Sequence, residues 1–179
     1  MRTLSNDLQR VLPNTLRINR GKLNMEGVYE KALENYADKI IIIERWKGGP
    51  GRIKLYTLPF TSEAFTTLHL SGVKLQDEVG QRKTIRGDLT VTVEKNAPPS
   101  AKNLADTLSK FLRVPLLGEP TTGVKASIHF SSLQTGEVKI SFTMPPMVNE
   151  IGPTLTVENS KNDTGERILE KEAHSDHKD

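Results

Sequence analysis

The sequence predicts a mixed α/β fold of two similar halves, each pairing a helix with a β-hairpin in sheets flanked by helices. Three observations predict it. The first is Lys39–Leu58, KIIIIERWKGGPGRIKLYTL, in which Ile40–Ile43 lead through Gly48-Gly49-Pro50-Gly51 into a second strand pattern, Arg52–Leu58. A continuous apolar run without polar alternation suits a strand covered on both faces. A short Gly/Pro link between two such strands reads as a hairpin turn, because glycine takes φ > 0 without a Cβ penalty. The second observation is helical spacing before each hairpin: Met25, Val28, Tyr29, Ala32, Leu33 and Tyr36, and later Ala101, Leu104, Ala105, Leu108, Phe111 and Leu112. The third is strict alternation in the second half. Val124, Ala126, Ile128 and Phe130 run out, and Val138, Ile140, Phe142 and Met144 return after Thr135-Gly136.

In chain order, Leu4, Leu8, Val11 and Leu12 fall on one face of a short helix that Pro13 ends. Leu16–Ile18 reads as a short strand, and Asn24 as the N-cap of the next helix. A strand–helix–strand crossover onto the isoleucine run is then the economical topology. Phe65–Leu70 and Val73–Leu75 read as strands, Asp77–Asp88 as a charged loop, and Leu89, Val91 and Val93 as a strand alternating with threonines. Ser100 reads as the cap of the next helix, Leu116–Gly123 as a loop, the second hairpin as buried on one face, and Thr154–Val157 as the last strand. The folded domain is expected over residues 1–159, with halves of about 1–95 and 96–159. Residues 160–179 are net acidic and poor in large apolar groups, the composition of a disordered tail.

The 179 residues carry a net charge of only +3, but the charge is unevenly spread. Residues 1–60 hold 11 Lys/Arg against 6 Asp/Glu, giving +5, whereas residues 121–179 hold 6 against 9, giving −3. A basic first third points to an anionic partner met by one face. The absence of cysteine excludes disulfides and thiolate metal sites and fits a reducing cytoplasm. No apolar run approaches the roughly 20 residues of a membrane helix, and the first residues are too polar for a secretory leader.

Catalytic patterns are missing. His69, His129, His174 and His177 have no second ligand at metal spacing, and no Gly-x-Ser-x-Gly elbow occurs. The glycine link could suggest a phosphate cradle, but a P-loop opens a helix, and here Arg52-Ile53-Lys54 opens a strand. No metal, cofactor or small-molecule substrate is expected. Two basic sets carry the binding chemistry instead: Arg17, Arg20 and Lys22 around Gly21, and Arg45, Lys47, Arg52 and Lys54 around Gly48 and Gly51. Arginines fork onto phosphate oxygens, while Trp46 and Tyr29 either pack or offer a stacking surface.

An ordered set of motifs resembles the archaeal Brix-domain proteins of ribosome biogenesis. It comprises Asp7-Leu8-x-x-Val11-Leu12-Pro13, Arg20-Gly21-Lys22, Ala37-Asp38, Trp46-Lys47-Gly48-x-Pro50-Gly51 and Glu150-Ile151-Gly152-Pro153. The resemblance implies a non-enzymatic rRNA-binding factor assisting pre-rRNA processing and subunit assembly. It also implies a two-halved fold similar to the anticodon-binding domain of some aminoacyl-tRNA synthetases. The family's basic loop falls on Arg20, Gly21 and Lys22, and its hairpin on Lys47, Gly48, Pro50 and Gly51. Implied partners are rRNA or pre-rRNA, with ribosomal proteins or other assembly factors; the competing reading is a protein–protein adaptor in pre-ribosomal particles. Family members begin with a short strand and a Thr-Ser-Arg/Lys-x-Pro-type segment, whereas Met1 falls where the first helix starts. The expectation is a misassigned start with roughly ten further residues, including a strand parallel to its neighbours.

Overall fold

The computed structural model describes residues 2–46, 49–59, 64–79, 83–118, 123–145 and 149–158. The chain begins with α1 (Arg2–Val11), α2 (Met25–Glu34), β1 (Lys39–Trp46), β2 (Gly49–Thr57) and β3 (Thr66–Lys74). There follow α3 (Gln76–Val79), β4 (Leu89–Val93), α4 (Pro99–Leu112), β5 (Leu116–Leu117), β6 (Ala126–Ser132), β7 (Val138–Met144), β8 (Asn149–Glu150) and β9 (Thr154–Val157). The strands form one mixed sheet in the order β1-β2-β3-β9-β7-β6-β4-β5, with β8 beside β7. β4 runs parallel to β5 and to β6; the other pairings are antiparallel. The last strand of the chain lies in mid-sheet, between β3 and β7.

Amphipathic spacing explains the packing. Leu4, Leu8, Val11 and Leu12 at the end of α1, and Ala101, Ala105 and Phe111 of α4, join Leu55, Leu70, Val91, Ile128, Phe130, Ile140 and Phe142 in the main core. A smaller cluster of Ala32, Ile40, Ile42 and Tyr56, with Met25 and Val28 against it, seats α2 on the opposite face of β1 and β2. Ile41 and Ile43 pack on the main core while Ile40 and Ile42 meet α2. The isoleucine run is therefore covered on both faces, as its unbroken apolar character predicts.

Polar contacts lock α1 in place. The backbone N–H of Gln76 donates to Asp7 Oδ2 at 3.0 Å, and Asp7 is 3% exposed. The fully buried Gln76 side-chain amide donates to Ile151 O at 2.6 Å and Lys83 O at 2.8 Å. Beside it, a Cβ on Gly152 would fall 2.8 Å from Val11 Cγ1 and 2.9 Å from Phe142 Cβ, so only glycine admits this approach. Arg113, the C-cap of α4, pairs with Asp38 at 2.8 Å. The hydrogen bond from Lys39, aided by Arg113, holds the Asp38 carboxyl below its ordinary value.

Several sequence expectations need correction. Leu16–Ile18 is not a strand: it pairs with no described strand, its Leu and Ile are 60% and 45% exposed, and Arg17 is tied to Ser5 at 2.9 Å and Asn19 at 2.8 Å. No parallel crossover is therefore described before β1, whose only described neighbour is β2, and the isoleucine run lies at one end of the sheet. A parallel crossover runs instead from β4 through α4 to β6. Phe65–Leu70 and Val73–Leu75 merge largely into β3, which shifts register between Leu70 and Gly72 as it passes from β2 to β9. The charged loop contains α3, and β5 interrupts the loop after α4.

Ser100 does not cap α4, because Pro99 takes the first helical position with its φ already fixed and Pro98 becomes the N-cap. Tyr36 lies beyond the end of α2 and is 98% exposed. The second hairpin also buries its polar side: Ser127, Ser141 and Thr143 are covered, and Thr92 Oγ1 meets Ser127 Oγ at 2.7 Å and His129 Nδ1 at 3.1 Å. Buried hydroxyls that satisfy one another make this tolerable, and burial lowers the pKa of His129. Lys47, Gly48, the Trp46 side chain and the 160–179 tail lie outside the described residues.

Candidate nucleic-acid interface

The first basic set sits on the turn that starts α2. Gly21 occupies the left-handed region at φ +55°, letting the Leu23 N–H close onto Arg20 O at 2.9 Å. Arg20 Nε donates to Leu23 O at 3.0 Å, which pins the arginine stem to its own turn while the residue stays exposed. Lys22 is exposed beside it. The Asn24 side chain accepts the Gly27 N–H at 2.9 Å, so the cap expected from the sequence fixes where the turn ends and the helix begins. Arg17, by contrast, is half-buried with its guanidinium committed to Ser5 and Asn19.

The second set sits on the β1–β2 hairpin. Register breaks between Glu44 and Arg45, and the bulge leaves Arg45 exposed near the tip. Ile40, Ile42 and Glu44 stand opposite Tyr56, Lys54 and Arg52, so these six share one face by strand alternation. On that face Glu44 receives both cations, Arg52 Nε at 3.2 Å and Lys54 Nζ at 3.1 Å. Gly51 is buried in β2 and serves the strand.

α2 packs on the same face through Met25 and Val28 near its start. α2, which directly follows the turn bearing Arg20 and Lys22, thus packs on the side of the sheet that carries Arg52 and Lys54. Sequence reasoning missed His69, which lies directly opposite Arg52 in β3. The two share a cleft of 270 Å³ with Gly51, Leu70 and Glu158. A lone histidine on a strand gives no signal until the register is known.

Relatives were found by sequence and by structure. A protein of Methanopyrus kandleri is 32% identical over 115 residues, covering 63% of this chain and 60% of its own length. One of Pyrococcus abyssi is 35% identical over 95 residues, covering 51% and 42%. One of Methanococcus maripaludis is 38% identical over 96 residues, covering 53% of each. All three are described as probable Brix domain-containing ribosomal biogenesis proteins. The chain is a relative of the archaeal Brix-domain proteins. The matches span about half the length of these Brix relatives, and no family model matches. Two solved structures share the fold. The probable ribosomal biogenesis protein of Aeropyrum pernix superposes with a TM-score of 0.76 at 22% identity, covering 90% of this chain and 89% of that one. Mil, an archaeal Imp4-like protein, superposes at 0.58 with 14% identity and 87% coverage of each.

Proposed function

We propose that this protein is a non-enzymatic assembly factor that binds rRNA or pre-rRNA during ribosome biogenesis. The observation that carries the reading is the kinship with curated archaeal ribosomal biogenesis proteins. The charge distribution supports it. Arg20, Lys22 and Arg45 are exposed around two turns, and Arg52 and Lys54 stand with Glu44 on the α2 side of the sheet. Cations on rigidly anchored turns suit phosphate contact, which positions a protein on RNA without reading bases.

The test is binding of rRNA transcripts across a salt series. Changing Arg20, Lys22 and Arg45 together to Ala leaves the described core intact, so thermal unfolding should be unchanged while affinity falls. Each lost phosphate contact lowers the log–log salt slope by about 0.7–0.9, so the triple variant should lose about 2–3. Unchanged affinity and slope would reject the interface. A wild-type slope near zero would favour a protein–protein adaptor.

A further inference from the structure

At the far end of the sheet from β1, a cleft of 480 Å³ opens where β4 and β5 finish. Val93, Leu116 and Leu117 form its apolar wall, and Glu94, Lys95, Lys102 and Gly118 complete the lining, two cations against one carboxylate. Leu116 is 42% exposed, so the wall is open to an incoming group. Neither lysine makes an ion pair with a described residue, whereas the Glu94 carboxylate accepts the Ser132 N–H at 3.3 Å. The position has a topological reason. β4 lies between β5 and β6, parallel to both, so the chain leaving β4 returns first on one side and then on the other. Beyond the carboxyl ends of parallel strands at such a reversal, α/β sheets leave a crevice that takes ligands.

We propose that this cleft is a second RNA subsite that takes one unpaired nucleotide, its phosphate held by Lys95 and Lys102 and its base covering Leu116 and Leu117. The proposal rests on the RNA-binding reading above and gives it a second, separate footprint. The volume lies within the roughly 300–1,000 Å³ of sites for compact ligands. Two free cations beside an apolar wall complement a group that is anionic at one end and flat and poorly hydrated at the other. An extended acidic peptide fits less well, because β5 is two residues long and offers few main-chain bonds to an added strand.

Fluorescence anisotropy with a labelled single-stranded ten-nucleotide RNA tests this on the full chain. Lys95→Ala/Lys102→Ala should weaken binding at least threefold and lower the salt slope by about 1.4, two contacts at the single-strand value. Leu116→Ala should weaken binding with the slope unchanged, and duplex RNA of the same sequence should be indifferent to all three changes. Amide shifts on adding the oligonucleotide should include Lys95 and Leu116–Gly118. Wild-type affinity in the double variant, with its fold intact by thermal unfolding, overturns the subsite. So does displacement of the cleft's shifts by an oligoglutamate peptide when the RNA causes none. If the Arg20/Lys22/Arg45 variant loses RNA binding and the lysine variant does not, the function stands and the subsite falls; the reverse pattern rejects the first-half interface alone.

Discussion

Tyr36 occupies the left-handed region at φ +52°, directly after α2. The Ala37 N–H returns to Ala32 O at 2.9 Å and the Tyr36 N–H to Leu33 O at 3.0 Å, the paired bonds that close a helix end and normally recruit glycine. A side chain there costs about 1–2 kcal/mol, and glycine's greater freedom in the unfolded chain returns about 0.4–1 of it. Tyr36→Gly should therefore raise the unfolding free energy by about 0.5–1 kcal/mol, visible as a melting temperature higher by about 1–4 °C. A fall would mean that the exposed ring makes a contact worth more than the strain. Residue-scale features were legible where the interaction is local. Asn24 caps α2 because its oxygen reaches a backbone N–H three residues on. Tyr36 fits the helical period yet leaves the helix, since periodicity carries no information about which residue must turn left-handed.

β1 shows what a pattern can and cannot specify at the scale of an element. Four consecutive β-branched residues favour a strand buried on both faces, and Ile41 and Ile43 meet the main core while Ile40 and Ile42 meet α2. Its place at the end of the sheet follows from pairing, which no local pattern encodes, and the same holds for the short β5 and for Leu16–Ile18, which have strand-like composition in equal measure. Ile42 is 7% exposed against α2, opposite Lys54. Ile42→Asp should place a carboxylate under the helix at a cost of several kcal/mol, a large share of a typical total of about 5–15. Denaturant titration should show the midpoint collapse or the protein fail to fold. A variant that melts with the wild-type midpoint would show that Lys54 neutralises the new charge and that α2 is not seated on this face. The basic sets were likewise visible as clusters of Arg and Lys, but Glu44's hold on Arg52 and Lys54 depends on a register that the sequence leaves open.

For the whole molecule the decisive strand is the last. β9 pairs with β3 through Val73↔Leu155 and with β7 through Ile140↔Leu155, so one residue is laddered to both halves of the sheet. The sequence marks Thr154–Val157 only as the last strand, because a strand's partners in a sheet are set by packing over long sequence separations. Leu155 is 4% exposed within the main core. Leu155→Ala removes buried methyl groups and leaves a cavity, which should cost about 2–5 kcal/mol. We propose that residues up to Glu158 unfold as one cooperative unit, since α1 also ties Asp7 to Gln76 and, through it, to Ile151. Hydrogen exchange then gives the test. The slowest amides of β1 and β6, on opposite sides of β9 in the sheet, exchange through global opening and should lose protection by the same factor in Leu155→Ala. If β6 amides accelerate while those of β1 keep wild-type rates, the halves open separately and β9 is a contact between two units instead of a strand within one.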